Sequence, residues 1–171
     1  AQFNEHTNGL WGVSILTGHT GRYEGGNYPM VGGGTPLAVG DPDDLVRPDG
    51  SREGDRVIVT KGPAIEATGL LSIQYEPLLA EAVDADTLQA AQDRFYDMSP
   101  VRDALTAAAA GPVTAMHDAT EGGLHGAFAE MATGAGVRFE IERDRIPVRP
   151  GVAETCAALD IDPWTATTPG T

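Results

Sequence analysis

Cysteine is almost missing from this sequence: Cys156 stands alone, which excludes an internal disulfide and any multi-cysteine metal site. It lies in the helical pattern Val152–Leu159, with no helix start or basic group beside it. It therefore reads as a small packed hydrophobe rather than a nucleophile. No run approaches the roughly 18 apolar residues of a membrane span, so no membrane partner is expected. No basic segment followed by an apolar core opens the chain as a signal peptide would, which makes a cytoplasmic location the expectation.

Lysine is equally scarce. Lys61 is accompanied by ten arginines, against 25 acidic residues, for a formal net charge of −14. The acids are spread along the chain, densest at Asp41, Asp43, Asp44 and Asp49. Without a basic footprint, nucleic acid is excluded as a partner. A dispersed acidic surface with little lysine points to a halophilic protein, whose self-repulsion is screened by salt. An unfolding midpoint that rises from low to molar KCl is the expected signature.

The 171 residues, 41% of them apolar, leave room for one domain with a core, or one domain and part of another. Helical and extended patterns alternate without an internal repeat, so the expected class is α/β (or α+β). Strands are expected at Val13–Leu16, around the glycine-interrupted 30–39, at Arg56–Thr60, at Pro112–Met116 and at Val137–Glu142. Helices are expected from Ile65 toward Tyr75, over Leu78–Val83, Thr87–Tyr96 and Val101–Ala110, from Leu124 onward, and around Cys156. Ser99 is the expected cap of the fourth, with Pro100 in its first turn. The polar stretch Asp41–Gly54 is the expected domain boundary.

The stretch richest in chemistry is Met116-His117-Asp118-Ala119-Thr120-Glu121-Gly122-Gly123-Leu124. An apolar run leads into a polar turn with an acid, and two glycines precede a helix. Such a turn can cradle phosphate or a phosphate-bound metal. Equally, Asp118 or Thr120 can be an ordinary N-cap, and the glycines ordinary turn punctuation.

Three segments, taken together, resemble the superfamily of aminoimidazole ribonucleotide (AIR) synthase. Its relatives include selenophosphate synthetase, thiamine-monophosphate kinase and the hydrogenase-maturation protein that forms nitrile ligands. They are Leu16–Thr20, Gly54–Thr68 and Met116–Leu124, and the pairing of Arg145–Val148 with Leu159–Pro163 adds a fourth. The arrangement is most similar to the AIR synthase-related and hydrogenase-maturation branches. The resemblance implies that residues 1–40 end an N-terminal, ATP-binding and dimerising domain, that 41–54 link, and that 55–171 form most of a C-terminal domain. It implies a homodimer acting on a nucleotide and on a small-molecule or protein-tail substrate, with ATP and Mg²⁺ as cofactors. The expected reaction is phosphoryl transfer that activates an oxygen, with purine or thiamine phosphate chemistry as alternatives within the enzyme class. The family's N-terminal Gly-Asp-Asp type motif is absent from these residues, and the end of the C-terminal domain is missing. A fragment is therefore expected, inactive by itself, and a non-catalytic dimerisation or interaction module is the competing reading.

Carried over residue by residue, Asp118 resembles the family acid that meets metal-bound phosphate, which makes it the expected metal ligand and, with His19, a catalytic candidate. Thr20, Lys61, Glu66, Thr120, Gly122 and Gly123 match cofactor-binding positions. Thr17 stands where the family usually has a second glycine. His117 and His125 have weaker warrants, since a lone histidine is more often solvated or packed than catalytic.

Overall fold

A computed structural model describes residues 12–18 and 33–171. Residues 1–12 read in the sequence as the end of a helix running into a glycine stop; all of it but Gly12, part of the glycine-interrupted segment, and the candidate site residues His19 and Thr20 lie outside the described residues. The chain divides into two compact units, Ala1–Asp44 and Leu45–Thr171. In the first, the described residues carry a 3-10 turn at Pro42–Asp44. The Asp41 carboxylate accepts from the Asp43 amide at 3.0 Å, and its carbonyl accepts from the Asp44 amide at 3.0 Å.

Six helices build the second unit: α1 (Ile65–Gln74), α2 (Glu76–Ala82), α3 (Ala85–Asp93), α4 (Val101–Ala110), α5 (Gly123–Ala135) and α6 (Val152–Ala158). The sequence of α1, Ile-Glu-Ala-Thr-Gly-Leu-Leu-Ser-Ile-Gln, has small or apolar residues on most sides, and the helix is accordingly central. It packs on α2, α3, α6 and the 3-10 turn Arg94–Asp97. Gly69 brings α1 so close to that turn that a Cβ would lie 2.4 Å from the Phe95 amide nitrogen. Pro77, in the first turn of α2, starts a new helix rather than continuing α1. Asp84 caps α3, accepting from the Thr87 amide at 2.9 Å.

The core consists of two clusters. Ala64, Ile65, Ala67, Val152 and Cys156 join α1 to α6, with Leu71, Ile161 and Ala166 against them. Ala119, Leu124, Ala127 and Trp164 surround the start of α5, with Val59, Phe128 and Ile146 alongside. Cys156 is buried, and burial pushes its thiol above the usual range, as befits a packing residue.

Two expectations need correction. No β-strand occurs among the described residues; one isolated antiparallel bridge joins Ala119 and Thr168. Where they are described, the segments expected as strands carry no regular element, with bends at Thr60 and Thr114. A strand exists only through a partner's ladder, and Ile58, 83% exposed on the segment before α1, is left largely uncovered. Ser99 is not the cap of α4: Pro100 occupies that position without a side-chain bond, and the Ser99 carbonyl instead accepts from Lys61 at 3.1 Å.

Candidate functional site

The site starts with a strained turn. Between residues 56–60 and α1, Lys61 (φ 48°) and Ala64 (φ 55°) are left-handed although neither is glycine. Each such residue costs of order 1 kcal/mol and persists only where the surroundings hold it. The holding element is the last stretch of the chain, Thr165–Thr171. Thr168 Oγ1 accepts from the Ile65 amide at 3.1 Å, and its one proton goes either to the Gly62 carbonyl at 3.2 Å or to Thr171 Oγ1 at 3.0 Å. Thr171 Oγ1 donates to the same Gly62 carbonyl at 2.7 Å. Glu66, in the first turn of α1, accepts from Thr167 Oγ1 at 3.0 Å, and the Ala67 amide donates to the Thr167 carbonyl at 3.2 Å.

Lys61 belongs to the same clasp. Its ammonium donates to the Ser99 and Gly170 carbonyls and pairs with Asp103 of α4. Its three N–H donors thus all have partners within the chain. Glu66 likewise has a partner, on the rim of the turn.

The second turn carries Asp118. Neither Asp118 nor Thr120 caps α5, contrary to that alternative: Gly122, left-handed at φ 70°, is the N-cap, without a side-chain bond. The two residues bind each other instead, Thr120 Oγ1 donating to Asp118 Oδ2. That bond holds the Asp118 carboxyl below the usual carboxylate range, against the opposing push of burial and with a smaller contribution from His117. The carboxylate is exposed rather than turned inward. His117 lies beside it, with Nδ1 3.5 Å from Asp118 Oδ1 and Nε2 2.8 Å from Glu130 Oε2 on α5.

Gly123 has a specific neighbour. A Cβ there would meet the Ala166 carbonyl oxygen at 2.6 Å and the Trp164 carbonyl oxygen at 2.8 Å, so its bareness admits the 164–166 turn. The Trp164 carbonyl also accepts from the His125 amide at 3.1 Å, taking one of the first-turn donors of α5. Beside this helix start, a cleft of about 260 Å³ is lined by His125, Phe128, Phe139, Ile141, Arg143 and Trp164. The Arg143 guanidinium stacks over the Trp164 ring at 4.3 Å.

The two turns meet at one residue. The Thr168 amide donates to the Ala119 carbonyl at 3.0 Å, while its hydroxyl holds Ile65 and Gly62. Lys61, Glu66, Asp118, Thr120, Gly122 and Gly123 therefore sit on two turns joined by Thr165–Thr171, whereas nothing is described for His19 and Thr20. Sequence reading missed Thr168 and Glu130. Thr168 stands in a Thr/Pro/Gly stretch without periodicity, and nothing in the spacing of Glu130 marks it as the partner of His117.

Among the described residues no three His, Cys, Asp or Glu side chains group as a protein-built metal site. One exposed, ionised carboxylate fits the other mode, in which Mg²⁺ keeps its waters and takes one or two carboxylates together with substrate phosphates.

Residues 52–171 match the family described as AIR synthase related protein, C-terminal domain. The chain is 31% identical over 153 residues to carbamoyl dehydratase HypE of Rhizobium leguminosarum bv. viciae, covering 89% of this chain and 41% of that protein. It is 35% identical over 154 residues to selenide, water dikinase of Geobacter sp. (strain M21), covering 82% and 42%. A second carbamoyl dehydratase HypE, from Bradyrhizobium diazoefficiens, is 28% identical over 152 residues, covering 88% and 42%. The chain thus spans about two fifths of the length of these relatives. No solved structure matches it.

Proposed function

Because this chain belongs to the AIR synthase-related family, whose C-terminal domain its residues 52–171 match, we propose that it forms part of an ATP- and Mg²⁺-dependent enzyme. That enzyme activates an oxygen, in an amide or a phosphate acceptor, by phosphoryl transfer, and is nearest the hydrogenase-maturation branch. The names of the relatives, a carbamoyl dehydratase and a dikinase, support this class. The observation that carries it is the Asp118 carboxylate, exposed and held ionised by Thr120 on a turn tied to a second, strained turn.

In this reading Asp118 supplies one oxygen to a magnesium ion borne by the nucleotide, and Thr120 fixes which oxygen faces outward. Bound Mg²⁺ would neutralise phosphate charge as the phosphoryl group moves. The remaining task of the protein is positioning, which needs no strong protein nucleophile. Lys61 and Glu66 contribute by keeping the neighbouring turn in its strained form through Gly170, Asp103 and Thr167. We further place the protein in the cytoplasm as a homodimer, and read residues 56–60, 112–116 and 137–142 as strands of an α/β domain that pair in the assembled protein.

The test is heat protection of the intact protein by ATP with Mg²⁺. A rise in unfolding midpoint on adding both, lost in Asp118→Ala, is expected; no rise in the unsubstituted protein would refute the reading. A second reading, a non-catalytic interaction module, is favoured by apolar exposure: α4 buries none of its residues, and Tyr96 is 83% exposed. Self-association in light scattering without any nucleotide effect would support that one instead.

A further inference from the structure

The cleft beside α5 has no part in the chemistry assigned to Asp118. His125 and Phe128 line it from α5, Phe139 and Ile141 from residues 137–142, and Arg143 and Trp164 complete its wall. Glu130, which binds His117 of the Asp118 turn, follows His125 by five residues and Phe128 by two. At about 3.6 residues per turn it therefore points away from the cleft. The cleft and the Asp118 turn lie on different sides of one helix.

The walls stand ready without a ligand. Trp164 is 6% exposed and is anchored at both ends of its backbone: its amide donates to the Asp162 carboxylate at 3.0 Å, and its carbonyl accepts from the His125 amide at 3.1 Å. Phe139 and Ile141 are half-buried and alternate with the exposed Arg138, Glu140 and Glu142. The charges are just as specific. Arg138 is paired with Glu140, and Arg145 with Glu142 at 2.9 Å. Arg143 stands between them, and among the described residues no carboxylate pairs with it; its guanidinium lies over the Trp164 ring at 4.3 Å. Stacking uses the face of the guanidinium and leaves its N–H edge for an anion. In a chain of net charge −14, a cation without an acid on an aromatic wall favours an anionic ligand. The volume, about 260 Å³, falls below the roughly 300–1,000 Å³ of sites for drug-sized molecules. It suits one ring with one small substituent rather than a whole nucleotide.

We propose that this cleft binds a small planar aromatic anion, its ring against Phe128, Phe139 and Trp164 and its carboxylate or phosphate on Arg143. The experiment is an NMR titration of the intact ¹⁵N-labelled protein in EDTA at constant ionic strength, following the Trp164 indole N–H. Benzoate and phenyl phosphate are both expected to shift that signal to saturation, and the one that saturates it at lower concentration identifies the anionic group. Benzyl alcohol, a ring without charge, is expected to bind about tenfold more weakly. Cyclohexanecarboxylate, a charge without an aromatic ring, is expected to bind about threefold more weakly. Arg143 is exposed, so Arg143→Gln leaves the fold intact; it is expected to weaken benzoate about tenfold and leave benzyl alcohol unchanged. Asp118→Ala is expected to leave every affinity as it was. No shift with either aromatic anion, or equal binding of benzoate and cyclohexanecarboxylate, would overturn the proposal. Equal losses of benzoate and benzyl alcohol in Arg143→Gln would show that the arginine only props the wall, and would overturn the anion site. Loss of binding in Asp118→Ala would move the ligand to the other turn and overturn a separate site.

Discussion

Thr168 offers the sharpest test of how the two turns are joined, because its hydroxyl and its methyl do separable things. Thr168→Val keeps the shape of a fully buried side chain and removes only the hydroxyl. Two bonds go with it. The first is acceptance from the Ile65 amide, a first-turn donor of α1 at a residue with no exposure, which is left without a partner. The second is donation toward Gly62 or Thr171, and there the loss is small, since Thr171 Oγ1 still donates to the Gly62 carbonyl at 2.7 Å. An orphaned buried donor costs about 1–3 kcal/mol, so about 2 kcal/mol is expected in total. For a unit of this size each kcal/mol lowers Tm by roughly 3–5 °C, which puts Thr168→Val about 6–10 °C below the unsubstituted chain in a thermal melt followed by circular dichroism. Thr168→Ala adds a small cavity to the same loss and falls further. Amide exchange at Ile65 should accelerate in both. If Thr168→Val melts within about 1 °C of the unsubstituted chain while Thr168→Ala drops, packing alone holds the segment and the hydrogen-bond argument is wrong.

The paired glycines separate in the same way. In Gly123→Ala a left-handed backbone combines with a Cβ 2.6 Å from the Ala166 carbonyl, while in Gly122→Ala the nearest atom is Gly126 Cα at 3.3 Å. Left-handed strain of about 1–2 kcal/mol applies to both. Overpacking adds roughly 1–3 kcal/mol for Gly123 alone, so its urea midpoint should fall clearly below that of Gly122→Ala; equal midpoints would contradict the close approach of the 164–166 turn. The Asp118 turn has an acid-side signature. Its carboxyl is held below its unfolded value, chiefly by Thr120, so the contribution is fully present above about pH 4 and disappears as pH falls through the lower folded value. Urea titrations of the chain and of Asp118→Asn should therefore differ at pH 6, and the gap should close only as the pH falls below the lowered folded value; a gap that stays constant into acid would show that the Thr120 bond does not depend on ionisation.

Much of the local structure was written in the residues. The apolar spacing around Ile65, Thr87, Val101, Leu124 and Cys156 marked helices, and Pro77 marked the restart after α1. The burial of Cys156 followed from the absence of any activating neighbour. The short-range pair Asp118–Thr120 was visible as a turn, although capping was one of its expected roles and mutual bonding is what the two residues do. What could not be read were contacts between distant residues. Thr168 meets Ile65 and Gly62 across more than 100 positions, and Lys61 reaches Ser99 across 38. The segments expected as strands illustrate the same limit, since alternation predicts a face to cover but not whether a neighbour covers it.

The sequence by itself determined which segments coil, which acid stands at a polar turn, and to which family the motifs point, because each depends on neighbours within a few residues. Only the tertiary structure decided that the Lys61 and Asp118 turns share Thr168, that Lys61 spends its ammonium on the chain's own carbonyls and Asp103, and that His117 leans on Glu130. Those outcomes depend on which buried donor finds which acceptor once the chain has packed. A hydrogen bond of that kind carries no periodic trace in the order of the residues.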